Sequence, residues 1–118
     1  MPGLLVLRIA APIYTANARG IQGRVLAAAE AADPPPDVVV LDATVVGGLS
    51  VTALTVGREL ERQLADQGAE LWITSLPPRA LAQAHEAPGW SRLVSGGRLH
   101  PTATAAVAAY RARAPSDR

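Results

Sequence analysis

Apolar positions along the chain fall into short unbroken runs, separated by stretches in which they recur every third or fourth residue. Leu4-Leu5-Val6-Leu7-Arg8-Ile9-Ala10 carries one charge in seven residues and predicts a mostly buried strand. Ala11-Pro12 interrupts that run. Ile13-Tyr14-Thr15 then predicts a second short strand, with proline tolerated only near its start, and Asn17 stands as the N-cap of the next helix. Ile21, Val25, Leu26 and Ala29 recur at helical spacing and predict that helix over Ala18 to Ala32. Gly20 and Gly23 weaken its first turns by about 1 kcal/mol each. The prolines of Asp33-Pro34-Pro35-Pro36-Asp37 end it, because proline lacks the amide that a helix needs and restricts the residue before it.

Val38 to Ala43 is continuously apolar up to Asp42, the pattern of a central parallel strand covered on both faces. Thr44 to Leu49, with Gly47-Gly48, reads as a loop. Ala53, Val56, Leu60 and Leu64 then line one helical face opposite Arg58, Glu59, Glu61, Arg62 and Asp66, so an amphipathic helix runs from about Ser50 to Gln67 with Gly68 closing it. Ala69 to Ser75 is the next strand. Pro77-Pro78-Arg79 opens a helix that ends before Pro88-Gly89, a short strand lies near Arg98-Leu99-His100, and Thr102 caps a last helix. This alternation predicts one α/β domain over residues 1–113, a central mostly parallel sheet of four to five strands with about four helices packed on it. Residues 114–118 are expected to form a flexible tail.

Charge and composition narrow the function classes. Eleven basic residues, all arginine, stand against ten acidic ones for a net charge of +1, which gives no field that favours nucleic acid or an anionic membrane surface. The chain has no cysteine, so disulfides, thiol nucleophiles and cysteine-ligated zinc are excluded. No apolar run reaches membrane-spanning length and the start lacks the pattern of a signal peptide, so the expected location is the cytoplasm, without direct membrane insertion.

In parallel α/β sheets ligands gather beyond the carboxyl ends of the strands, which directs attention to Asp42 through Thr52. Ser50 and Thr52 stand where the best helix begins, and free amides there attract an anion or a partner's carboxylate. Capping is the simpler role for Ser50. Gly47-Gly48 belongs to no nucleotide-phosphate motif, and the chain has no lysine. His85 and His100 lie on different elements and make no metal pair. Asp42 has no second carboxylate at short range and reads as the cap of the following turn, so neither a metal, a cofactor nor a catalytic residue is expected. Trp72 and Trp90 read as core and edge packing. Arg58, Glu61, Arg62 and Asp66 alternate in sign along one solvated face that a partner protein can read.

With this order of elements, several segments carry a resemblance. Pro2-Gly3-Leu4-Leu5-Val6-Leu7-Arg8-Ile9 followed by Pro12-Ile13-Tyr14-Thr15-Ala16-Asn17-Ala18 resembles the opening of the STAS domains that form the cytosolic tails of SulP anion transporters. Thr15 stands where that pattern prefers phenylalanine. Val39-Val40-Leu41-Asp42-Ala43-Thr44, Gly68-Ala69-Glu70-Leu71 and Leu99-His100-Pro101-Thr102-Ala103 are similar to the family's later strands and its ending. The departure lies at the switch loop. The family usually reads Asp-Ser-(Ser/Thr)-Gly, this chain has Ser50-Val51-Thr52-Ala53, and Val51 occupies the position of the phosphorylated serine.

The resemblance implies a STAS fold and a non-catalytic regulatory domain of a SulP-type sulfate or related anion transporter. Asp42, Thr44, Gly47, Gly48, Ser50, Val51 and Thr52 would form its partner or anion-binding loop, and Arg58, Glu61 and Arg62 its partner helix face. Its partners would be the membrane domain of the same transporter and other proteins, with weak homodimerisation allowed; Met1 would be a start added to a domain cut from a longer chain. Two further readings stand beside it, a stand-alone anti-sigma factor antagonist and a small-anion or nucleotide sensor. The sensor is disfavoured because no arginine lies in the loop itself.

Overall fold

The computed structural model describes residues 3–9, 15–44 and 48–113, with Thr15 and Ala16 in backbone only. Its elements are β1 (Leu4–Arg8), α1 (Thr15–Ala31), β2 (Val38–Asp42), α2 (Val51–Asp66), β3 (Glu70–Thr74), α3 (Pro78–Glu86), α4 (Ser91–Ser95), β4 (Leu99–His100) and α5 (Ala103–Arg111). The strands lie in the order β1-β2-β3-β4 and every pair is parallel, with Val6, Val40 and Trp72 in register across the first three. An all-parallel sheet needs a crossover between neighbours and cover on both faces, which is why the apolar run of β2 is buried at every position.

Alternation along the strands divides the core in two. Val39, Leu41, Leu71 and Ile73 face α1 to α4 in the larger cluster, where Leu64, Leu71 and Leu93 are fully enclosed. Burying each such leucine contributes roughly 1.5–3 kcal/mol. Val38, Val40 and Trp72 turn the other way and are covered by α5 through Ala106, Ala109 and Tyr110. Trp72 donates its indole N–H to Glu70 Oε1 at 3.0 Å, and Tyr110 donates its hydroxyl to Asp37 Oδ2 at 3.2 Å.

Several expectations change. Thr15 opens α1 instead of ending a strand, and Asn17 lies inside the first turn of that helix rather than capping it. Ile13, Tyr14, Gly47 and the tail 114–118 fall outside the described residues. A fifth helix, α4, follows Trp90, in a stretch where Pro88-Gly89 and Gly96-Gly97 obscure any helical period. Trp90 is not at an edge but buried, 2 % exposed. Among the described residues no helix is long and apolar enough to cross a membrane.

Candidate interaction surface at the start of α2

The loop after β2 begins with an acid that is consumed by its own turn. Asp42 Oδ1 accepts bonds from the Thr44 hydroxyl at 2.5 Å and the Thr44 amide at 3.1 Å, and Oδ2 lies 3.7 Å from the guanidinium of Arg8. The Thr44 hydroxyl holds the Asp42 carboxyl below its ordinary pKa, with the Thr44 amide, Ser75 and Arg8 acting in the same direction and burial opposing them. Asp42 is 6 % exposed. It therefore closes its own turn, the role its place at the end of the strand suggests, and its carboxylate is already engaged by Thr44 and Arg8.

The far end of the loop is held by two side chains. Ser50 is the N-cap of α2, with extended backbone at φ −75° and ψ 166°, and its hydroxyl accepts the Ala53 amide at 3.0 Å. Gln83 on α3 receives the Leu49 amide on its Oε1 at 2.8 Å and donates its Nε2 to the Leu49 carbonyl at 2.8 Å. One amide side chain thus satisfies both polar groups of a single loop residue, as a neighbouring strand would. Sequence reasoning missed Gln83. The only available signal was its place in the middle of α3, between Ala82 and Ala84. Arg79, one turn earlier, also reaches the loop from α3: a Cβ placed on Gly48 would lie 3.6 Å from its Nε. An arginine absent from the loop's own sequence is supplied from another element.

Between these holds the backbone carries Val51, the first residue of α2, whose side chain is 82 % exposed. Thr52 beside it is half-buried and Thr44 is exposed. A large apolar side chain left this open at a rigid helix start buries too little surface to contribute to folding.

The helix face expected to extend from this loop is only partly exposed. Arg58 and Arg62 stand outward, while Glu61 is 7 % exposed and pairs with Arg98 at 3.2 Å and Arg92 at 3.6 Å. Glu61 is thus corrected from an exposed partner-face residue to an inward ion pair that ties α2 to the segment around β4. Glu59 also turns toward the protein, where Arg19 and Gln22 of α1 donate to it. The Arg19 bond is the chief cause that lowers the Glu59 pKa. Both acids sit at helix positions beside neighbouring elements that helical periodicity alone does not reveal. His85 and His100, on separate elements as expected, line one cavity of about 280 Å³ with Leu81 and Leu99. Among the described residues no group of three or more ligating side chains is placed to hold a metal.

The geometry defines a small parallel α/β domain that offers a capped helix start beside its sheet, with the nearest acid already committed. The chain belongs to the STAS domain family, whose family model matches residues 1–102. Its fold is similar to that of a sulfate transporter family protein from Wolinella succinogenes, with 16% identity and a TM-score of 0.76 over 94% of this chain and 87% of that one. The STAS domain of a SulP transporter from Vibrio cholerae is similar at 18% identity and a TM-score of 0.72, over 96% of this chain and 88% of that one. The murine Slc26a9 anion transporter, in the inward-facing state, matches at 15% identity and a TM-score of 0.84. That alignment covers 96% of this chain and 18% of the transporter, so the likeness is to one domain of a much longer protein. No match is found among curated proteins.

Proposed function

We propose that this chain is a non-catalytic regulatory and protein-interaction domain that works on the cytosolic side of a SulP-type sulfate or related anion transporter, beside its membrane domain. The observation that carries the reading is Val51, an apolar side chain held open at the start of α2 by the Ser50 cap and the Gln83 clamp. Such a tip suits docking, because its desolvation adds affinity without the cost of ordering the loop. Because Val51 has no hydroxyl, control by phosphorylation at that position is unavailable, which favours the transporter reading over the stand-alone anti-sigma factor antagonist.

The reading frame upstream of Met1 in the source gene tests it first. Continuation into a series of membrane-spanning segments is the expected result, and a stop codon directly before Met1 replaces it with a stand-alone regulator. In vesicles containing the full transporter, Val51→Asp is then expected to change sulfate uptake without changing the amount of protein inserted.

Arg79 beside Gly48 supports a second reading, a small-anion sensor at the same loop. Titration with sulfate, followed by amide shifts at residues 48–52 in wild type and Arg79→Ala, separates it from docking.

A further inference from the structure

Beyond the carboxyl ends of β3 and β4 the structure leaves a cavity of about 280 Å³. Ile73 and Leu99, partners in the strand register, line its inner end, and Leu76 and Pro101 stand just past the two strand ends. Helix α3 supplies Leu81 and His85, four residues apart and so on one face, and α4 supplies Val94. The gap has a local cause. β4 is only two residues long and α4 only five, with Leu93 turned into the core, so two short elements leave the space in front of α3 unfilled. Arg79 and Gln83, which reach the loop before α2, lie two residues from Leu81 and His85 along the helix and therefore on its opposite face. The cavity is thus separate from that loop.

Its lining selects against charge. Six of the eight lining residues are apolar, the other two are histidines, and no Asp, Glu or Arg is among them. His100 rests on Trp72 at a ring distance of 4.9 Å, with its Nε2 closed off, and burial lowers its pKa below 6.5, so this ring is uncharged near pH 7. An ionised carboxylate or phosphate brought here loses its water without meeting a counter-charge. His85 is exposed, and a neutral imidazole both donates and accepts a hydrogen bond. Leu81, one turn before it, is 36 % exposed, so an occupant of the cavity removes apolar surface from water.

We infer that this cavity binds a small neutral aromatic molecule carrying one N–H or O–H group, of the indole or phenol class, its ring among Leu76, Leu81 and Val94 and its donor on the His85 imidazole. The volume is close to the lower end of the roughly 300–1,000 Å³ of small-molecule pockets, which suits one fused ring system. Flat occupants are favoured over aliphatic ones, because aromatic faces and edges attract each other and the histidines supply both. The site goes beyond the docking reading and does not depend on it.

Indole is the probe, titrated into the nitrogen-15-labelled chain. Saturable shifts are expected at the amides of Leu81, His85, Val94 and Leu99 with an apparent Kd below about 1 mM, while residues 48–52 stay in place. Benzoate, flat but charged, is expected to bind roughly tenfold more weakly or worse, and N-methylindole, which lacks the N–H, several-fold more weakly. Val94→Trp fills the cavity, and Leu81→Glu sets a charge at an exposed position on its rim; each is expected to weaken indole roughly tenfold or more at unchanged circular dichroism. His85→Ala is expected to abolish the preference for indole over N-methylindole, which a purely structural role of that side chain leaves in place. Absence of saturable shifts in low-millimolar indole overturns the inference. So does benzoate binding as tightly as indole, or a Kd that both Val94→Trp and Leu81→Glu leave unchanged.

Discussion

Trp90 donates its indole N–H to the carbonyl of Leu54 at 2.8 Å, and its ring lies directly on Gly57, one turn further along α2. The hydrogen bond and the missing side chain are two halves of one contact, since any Cβ at position 57 enters the space the indole fills. Gly57→Ala gains about 1 kcal/mol in helix propensity. It also drives a methyl into Trp90 Cζ2 and within 3.1 Å of Cη2. Overpacking of that kind costs about 1–3 kcal/mol, so the net expectation is destabilisation, read as a lower urea midpoint at unchanged slope. Trp90→Phe together with Gly57→Ala is expected to lose less than the two single changes added, because they share the contact.

Replacement of Ser50 separates the cap from any other role of its hydroxyl. Ser50→Ala is expected to lower stability by about 1 kcal/mol, whereas Ser50→Asp retains an acceptor for the Ala53 amide and places a negative charge at the helix start, so it stays near wild type. Thermal unfolding of the pair decides. Equal loss in both variants would show that the cap is not what Ser50 contributes.

Gln83→Leu removes both bonds to Leu49 and leaves a half-buried amide and carbonyl unmet. Faster hydrogen exchange at the Leu49 amide is the expected signature, with β2 and β3 retaining their protection. Uniform acceleration across the sheet would instead make Gln83 part of the global core.

Glu61 and Arg62 are adjacent in sequence and opposite in consequence. Removing Glu61 takes from Arg98, whose side chain is 23 % exposed, the nearer of its two carboxylates and leaves it Glu70 at 3.5 Å. Glu61→Ala is expected to cost about 2 kcal/mol, between the roughly 1 kcal/mol of surface pairs and the 3–5 kcal/mol of fully buried ones. Arg62→Ala is expected to stay within about 0.5 kcal/mol.

His100 and Asp42 contribute to the pH dependence of stability, beside Glu59. Burial against Trp72, at a ring distance of 4.9 Å, lowers the His100 pKa below its ordinary 6.5, and its Nε2 finds no partner among the described residues. The unfolded chain therefore takes up the proton more readily than the folded one. Stability is full above pH 6.5 and declines as the pH falls from there toward the folded-state value. His100→Phe keeps the ring contact and is expected to flatten that decline. Asp42, whose folded pKa lies below 3.8, contributes stability above that pH that is lost as the pH falls through the folded value, and Thr44→Val is expected to reduce this second step.

The parallel sheet and the major helices could be read from the chain because each buried strand is an apolar run and α2 repeats its apolar residues at helical spacing. Ser50 and Thr102 announced their helices as caps, and both accept the expected amide. What escaped was every interaction whose partners lie far apart in sequence. Gln83 to Leu49 and Arg98 to Glu61 join residues more than thirty positions apart, and nothing local marks glutamine as a clamp or glutamate as buried. Periodicity assigned Glu61 to the solvated face because it counts polarity, and it has no term for an arginine arriving from another element. Helix α4 escaped for a different reason. Five residues flanked by glycines carry too little pattern to show a period, and Leu93, its one buried residue, supplies its anchor.

The Gln83 clamp has a mechanical side. Because both polar groups of Leu49 rest on one side chain of α3, the end of the loop is tied to that helix. A protein that displaces α3 through its exposed Leu81 is expected to shift the same backbone that carries Val51. A contact made on one helix is thereby passed to the tip of another without unfolding either.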